Sequence, residues 1–142
     1  MKIADVLRTK GSAVATVEPR TPVGELLAGL ARHNVGAMVV VGPDGIAGIV
    51  SERDVVRKLH ERGAELLAAP VSEIMTKMVF SCDPQDTVDS LTVQMTERRI
   101  RHVPVLADGV LVGIVSIGDV VKSHISQLEE SHNQLQAYIA QG

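Results

Sequence analysis

Apolar positions along this chain follow two alternating rhythms. Val23, Leu26, Leu27, Leu30 and Ala31 fall three and four apart, which predicts an amphipathic helix over residues 22–33. Thr21 stands ahead of it as N-cap, with Pro22 at the first helical position. Before the helix, Val14 to Val17 reads as a short extended segment ending at Glu18-Pro19. After it, the pattern becomes a β-branched run, Ala37 to Val41, then a turn signal, Gly42-Pro43-Asp44-Gly45, then Ile46 to Val50. Two apolar strands around a short Gly-bearing link predict a β-hairpin buried on both faces. Ser51-Glu52-Arg53-Asp54 opens a further helix carrying Val55, Val56 and Leu59.

The same order then returns. A shift of 65 residues carries Val14 onto Val79, Pro19 onto Pro84, Leu26 onto Leu91, and Gly48-Ile49-Val50-Ser51 onto Gly113-Ile114-Val115-Ser116, with no gap from Val14 to Arg57. A fixed period marks a duplicated structural unit. In the second copy Asp86 is the expected cap, Val88, Leu91, Met95 and Ile100 continue the helical stripe, and Val103–Leu106 and Val110–Val115 form the hairpin around Asp108-Gly109. Each copy therefore reads strand, helix, strand, strand, helix. The connector from about His60 to Lys77 is broken by Pro70, and Ile74-Met75-Thr76 leads into the second copy as Val6-Leu7-Arg8 leads into the first. In the last helix, Val121, Ile125, Leu128, His132, Leu135 and Ile139 alternate spacings of four and three, a heptad-like seam. It suits docking on the chain's own body or on another subunit.

Composition narrows the function. With 142 residues and 45% apolar content, the chain supports a real core, and that core is aliphatic, because Phe80 and Tyr138 are the only Phe, Tyr or Trp. An aromatic platform for single-stranded nucleic acid is therefore nearly excluded. A net charge of −3 disfavours a general nucleic-acid role. Cys82 is the only cysteine, so no intrachain disulfide forms, in keeping with a reducing cytoplasm. Without a signal-peptide-like start or a ~20-residue apolar run, the expectation is a cytoplasmic protein with no membrane partner.

The chemistry concentrates in Gly-Ile-Val-Ser-x-x-Asp, present at Gly48–Asp54 and Gly113–Asp119. Ser-x-x-Asp is a capping-box pattern, which is its purely structural meaning. A helix start after a buried strand also offers free N–H groups to phosphate or ribose oxygens, and a carboxylate there accepts bonds from two ribose hydroxyls.

With its Thr-Val-Glu-Pro and Ser-Cys-Asp-Pro openings, Arg101-His102-Val103-Pro104-Val105 and the doubled Gly-Ile-Val-Ser-x-x-Asp, the chain resembles a tandem pair of CBS domains, or Bateman module, from about Asp5 to Ser126. The resemblance implies an α/β (α+β) fold of two βαββα CBS repeats related by pseudo-two-fold symmetry, with an extended C-terminal helix. It sets repeat 1 at 8–66, repeat 2 at 74–130 and the helix extension at 131–142. It implies a regulatory, signal-transducing module that binds AMP, ADP, ATP, NAD(H) or S-adenosylmethionine in clefts between the repeats, often as a homodimer, with a regulated protein as a further partner.

By position, Asp54 and Asp119 match the acidic residue that holds ribose hydroxyls, and Ser51 and Ser116 the hydroxyl near ribose or phosphate. Thr16 and Ser81 match the polar residue near the base, while Ala37-Met38 and His102-Val103-Pro104 line the adenine slot. The copies differ in charge: Arg98, Arg99, Arg101 and His102 replace His33, Asn34, Gly36 and Ala37, and Gly118 stands where the first copy has Arg53. Arg53, Arg99, Arg101, His102 and Lys77 are candidate phosphate contacts, and Gly118 permits close approach. That makes the second site the better one for a phosphorylated ligand. The competing readings are a solvated helix end for Arg98 and Arg99, a packed imidazole for His102, and an exposed Lys77.

No catalytic set is apparent. Cys82 sits on the apolar register as a small core residue. His33, His60, His102, His124 and His132 lack metal-binding spacing, and there is no P-loop or GxGxxG. The expectation is a sensor rather than an enzyme, the alternative being a structural interaction or dimerisation module without ligand.

Overall fold

The computed structural model describes residues 1–11, 13–77 and 79–141. The chain divides into two compact units, Ala13–Phe80, and Ser81–Gly142 together with Met1–Ser12.

In the Ala13–Phe80 unit, β1 (Thr16–Val17) pairs in parallel with β2 (Ala37–Gly42), and β2 pairs antiparallel with β3 (Gly45–Ser51), giving the order β1-β2-β3. The register sets Thr16 beside Val39, Met38 beside Val50 and Ala37 beside Ser51. Helix α2 (Val23–His33) buries Val23, Leu26 and Leu30, and helix α3 (Glu52–Arg62) buries Val55. These join Met38, Val40, Val50, Leu66, Val71 and Ile74 in one aliphatic core. Each such side chain, fully buried, contributes about 1.5–3 kcal/mol. The expected connector is folded as two 3₁₀ turns, Gly63–Ala68 and Val71–Glu73. Its backbone is tied to the start of α2 by Val23 N–H donating to Ala69 O and Val71 N–H donating to Thr21 O, both at 2.9 Å.

The second unit repeats this plan with one substitution. Strands β4 (His102–Ala107) and β5 (Val110–Ser116) form the hairpin, and a single parallel bridge from Cys82 to Val105 takes the place of a first strand. Helix α4 (Val88–Arg98) buries Val88, Leu91 and Met95. Helix α5 runs unbroken from Ile117 to Gln141 and buries only Val120 and Ser123. Residue 142 of the expected extension lies outside the described residues. The seam positions Val121, Ile125, Leu128, Leu135 and Ile139 are all exposed, Leu128 by 70%. Among the described residues no helix is long and apolar enough to cross a membrane.

Three local expectations are corrected. Thr21 does not cap α2: its hydroxyl accepts from Glu18 N–H at 3.1 Å, and Pro22 occupies the cap position instead of the first turn. Asp86 does not cap α4: its carboxylate accepts from Asp83 N–H at 2.9 Å, and Thr87 caps by accepting from Ser90 N–H at 3.1 Å. In both places a tight turn just upstream takes the nearest polar side chain. Ile100 lies past the end of α4, where its N–H donates to Met95 O at 3.1 Å.

Helix α1 (Ile3–Lys10) has no counterpart in the expected repeat. It buries Ile3, Val6 and Leu7 and packs on β5 and α5 of the second unit. The segment ahead of the first repeat thus completes the second unit, while Val71–Thr76, ahead of the second repeat, completes the first. The motif glycines receive these segments. A Cβ on Gly113 would lie 2.7 Å from Leu7 Cδ2, and a Cβ on Gly48 would lie 2.6 Å from Thr76 O and 2.9 Å from Met75 Sδ. Leu7 and Met75 play one role, as Val6-Leu7-Arg8 and Ile74-Met75-Thr76 suggested.

Candidate functional site

Both copies of Ser-x-x-Asp form the same reciprocal cap. Asp54 Oδ2 accepts from Ser51 N–H at 2.9 Å and from the Ser51 hydroxyl at 3.1 Å, and Asp54 N–H donates to Ser51 Oγ at 3.4 Å. In the second unit, Asp119 Oδ2 accepts from Ser116 N–H and the Ser116 hydroxyl, each at 2.9 Å, and Asp119 N–H donates to Ser116 Oγ at 3.2 Å. The capping meaning of the motif is therefore realised. It uses only one oxygen of each carboxylate. Among the described residues no donor reaches Oδ1 of either aspartate, and both side chains are only half-buried. A second backbone tie orders each helix start: Glu52 N–H donates to Gly36 O at 3.0 Å and Ile117 N–H donates to Arg101 O at 2.8 Å.

The sheet register gathers the other expected residues at the same end of each hairpin. In the first unit, Ala37 faces Ser51, Met38 follows, and Thr16 pairs one position further on with Val39. In the second, His102 faces Ser116, Val103 faces Val115 and Pro104 faces Ile114. Ser81 stands next to Cys82, whose N–H donates to Pro104 O at 3.0 Å. Thr16 and Met38 also line an open depression of about 710 Å³ with Glu18, Glu25, Arg32 and His33. Ser51, Arg53 and Asp54 are not part of its wall.

The charged candidates are more scattered. Arg53, Lys77, Arg99 and Arg101 are exposed. Arg99 ends α4 in the left-handed conformation, φ 55°, as Asn34 ends α2 at φ 53°. This backbone state costs a non-glycine residue about 1 kcal/mol or more, and it fixes Arg99 first of all as a helix terminator. Arg98 Nε donates to Gln94 Oε1 at 3.0 Å along its own helix. Gly118 is exposed at the start of α5, and a Cβ there would meet nothing nearer than Ser116 Oγ at 3.6 Å.

One participant was not foreseen. Lys10, at the end of α1, donates from Nζ to Asp119 Oδ2 at 2.6 Å and to Ile114 O at 2.7 Å. Burial alone raises the Asp119 carboxyl, but the Lys10 ammonium and the Ser116 backbone N–H and hydroxyl outweigh it and hold the group below the usual carboxylate range. In the first unit the matching carbonyl, Ile49 O, is satisfied by Thr76 N–H at 2.9 Å. Only the parallel between the two lead-in segments hinted at such a contact in sequence. Among the described residues no group of His, Cys, Asp or Glu is placed to hold a metal. Cys82 is buried, and its thiol is pushed up to about 12 by burial, with Asp86 and Asp83 adding to the effect.

The model of the CBS domain family matches residues 3–61 and 71–125. The chain belongs to the CBS domain family. It is 36% identical over 151 aligned positions to the mitochondrial CBS domain-containing protein CBSX3 of Arabidopsis thaliana, covering 99% of this chain and 72% of that one. A crystal structure of a CBS-domain containing protein from Agrobacterium tumefaciens superposes with a TM-score of 0.83 at 45% identity, covering 87% of this chain and 92% of the other. The CBS domain pair of protein MJ0100, solved with 5′-methylthioadenosine and S-adenosyl-L-methionine, matches with a TM-score of 0.78 at 25% identity over 87% and 99% of the two chains. The expected CBS pair, with mixed α and β structure and a long C-terminal helix, is borne out.

Proposed function

We propose that this CBS pair is a non-catalytic regulatory sensor whose Asp54 and Asp119 grip the ribose hydroxyls of an adenosine-containing small molecule. The observation that carries the reading is the twin cap. In both units the Ser–Asp pair is held rigid through Oδ2, while Oδ1 has no donor among the described residues. A preformed acceptor at a helix start suits a sugar diol, whose hydroxyls are donors. The complex of MJ0100 with two adenosine compounds supports the ligand class.

In this reading Thr16, Ala37 and Met38, and correspondingly Ser81, His102, Val103 and Pro104, frame the base. Ser51 and Ser116 flank the sugar. Arg53 and Lys77 in one unit, and Arg99 and Arg101 in the other, supply charge to phosphates, and His102 is a further phosphate contact. Gly118 leaves room above the second helix start, since neither its backbone nor its neighbours require a glycine there. AMP, ATP, NAD(H) and S-adenosylmethionine are the candidate ligands, and the cytoplasm is the proposed compartment. Binding regulates a protein partner only through a difference in affinity between two conformations.

A thermal-shift panel of these compounds tests the proposal. A ligand that binds the folded form raises stability by ~2.7 kcal/mol at 100 times its dissociation constant. A flat panel defeats the reading and leaves the interaction module, for which the exposed stripe of α5 speaks: Ile125, Leu128, Leu135 and Ile139 are each more than half exposed. We assign that stripe to a homodimer seam.

A further inference from the structure

Helix α5 is longer than its own unit uses. It turns Val120 and Ser123 inward, and His124 pairs with Asp89 of α4 at 3.2 Å. From Leu128 to Gln141 every residue is exposed. A free helix of about 14 residues is marginal in water, and helices of that length persist by burying an apolar face. Such a face is present. Val121, Ile125, Leu128, Leu135 and Ile139 are each more than half exposed. At about 100° per residue they form one stripe with His132, roughly a third of a turn away from the side of Val120 and Ser123.

We propose that α5 of a second copy of this chain covers the stripe, parallel and in register, as a two-stranded coiled coil over residues 121–139. The inference rests on the assignment of the stripe to a homodimer seam, and adds its direction, its register and the residue that selects them. Spacing sets Ile125, His132 and Ile139 at the a positions of the heptad, and Val121, Leu128 and Leu135 at d. Isoleucine at a with leucine at d is the combination that favours two parallel strands. A membrane surface is a poor occupant. From Ser123 to Gln141 the helix carries Glu129 and Glu130 and no Lys or Arg, whereas interfacial helices hold anionic headgroups through basic side chains.

His132 decides the direction. In a parallel pair each seam residue meets its own copy, so His132 faces His132 of the partner subunit. One neutral imidazole then donates and the other accepts, and both find a partner inside the seam. In the antiparallel pair of full overlap, Val121 lies against Ile139 of the partner subunit and Leu128 against His132 of the partner subunit. Each imidazole then faces a leucine, which leaves two polar groups covered and unpaired. The flanking positions agree. Antiparallel helices bring Glu129 against Glu129 of the partner subunit, a like-charge contact. Parallel helices set it opposite His124 of the partner subunit instead.

Disulfide mapping in the double variant Val121→Cys/Ile139→Cys tests direction and register together. Both positions are exposed, and α5 buries only Val120 and Ser123, so neither exchange disturbs the fold. About 27 Å of helix separates them, too far for a link within one chain. Trypsin cuts after Lys122 and so places the two cysteines in different peptides, which mass spectrometry identifies after mild oxidation. Links from position 121 to 121 and from 139 to 139 are expected. Predominant links between 121 and 139, or none at all, would overturn the parallel pair. His132→Ile, in the otherwise unaltered chain, should tighten self-association about tenfold or more, because the polar layer weakens the seam that it aligns. Unchanged or weaker association would put His132 outside the seam and overturn the proposal. Light scattering separates this proposal from the seam it rests on. A monomer, or a dimer that survives removal of residues from Leu128 onward, refutes the seam and the coiled coil with it. A dimer lost on that removal, yet linked 121 to 139, keeps the seam and refutes only its direction.

Discussion

Replacing Gly48 with alanine sets a methyl group 2.6 Å from Thr76 O and 2.9 Å from Met75 Sδ. The carbonyl cannot turn aside, because Thr76 O accepts from Ile49 N–H at 3.0 Å and Thr76 N–H donates to Ile49 O at 2.9 Å. Relief requires the Met75–Thr76 segment to lift off β3. Overpacking of this kind costs about 1–3 kcal/mol, and weakening two backbone hydrogen bonds adds about 1 kcal/mol. Alanine in a strand returns about 0.5–1 kcal/mol of glycine's entropy cost. The net loss is about 1–3.5 kcal/mol, or roughly 4–14 °C in melting temperature for a chain of this size. Gly113→Ala is the internal control. The atoms nearest its methyl all belong to the Leu7 side chain, Cδ2 at 2.7 Å and Cδ1 at 3.0 Å. A shifted Leu7 rotamer costs about 0.5–1.5 kcal/mol, largely offset by the same entropy gain, so the melting temperature should move by no more than about 4 °C. Thermal unfolding followed by circular dichroism separates the two. A Gly113→Ala loss equal to or larger than that of Gly48→Ala would refute the assignment of the motif glycines to close segment approach.

Gly118→Ala should be neutral or stabilising by up to about 1 kcal/mol, as for an open helical glycine, yet should weaken binding of the adenosine ligand. An unchanged dissociation constant removes Gly118 from the site. Asp119→Asn should cost stability at neutral pH, but the cost should vanish in acid. A carboxyl held low in the folded state stabilises above its unfolded titration range, and that advantage is lost as pH falls through its folded titration. Urea midpoints that stay equally far apart at acidic and neutral pH contradict this. Cys82 should resist alkylation at pH 8 in the native protein and react at once in denaturant, given a buried thiol pushed up to about 12. Rapid native labelling would place it at the surface. Removing residues from Leu128 onward should leave the melting temperature nearly unchanged, since α5 buries only Val120 and Ser123, while reducing self-association in light scattering.

Much of this architecture was legible because it rests on local periods. The hairpins, the helix stripes of Leu26–Leu30 and Leu91–Met95, and the Ser-x-x-Asp caps all follow from spacing within one repeat. Thr21 and Asp86 went astray because several polar side chains compete for the same few N–H groups, and the turn geometry that decides between them is not encoded in residue type. Helix α1 and Lys10 were hidden for a different reason. Their partners, Asp86, Ile114 and Asp119, lie far along the chain, and an eight-residue amphipathic start carries no sign of which sheet it will cover.

The most direct test of a sugar-gripping carboxylate at each helix start is a calorimetric comparison of one panel hit with its 2′-deoxy form, on the wild type and on the Asp54→Asn/Asp119→Asn double variant. The account predicts saturable binding of the ribose compound by the wild type, at least tenfold weaker binding of the deoxy compound, and loss of both in the folded double variant. Equal affinity for the two sugars, or binding that survives in the double variant, would contradict it.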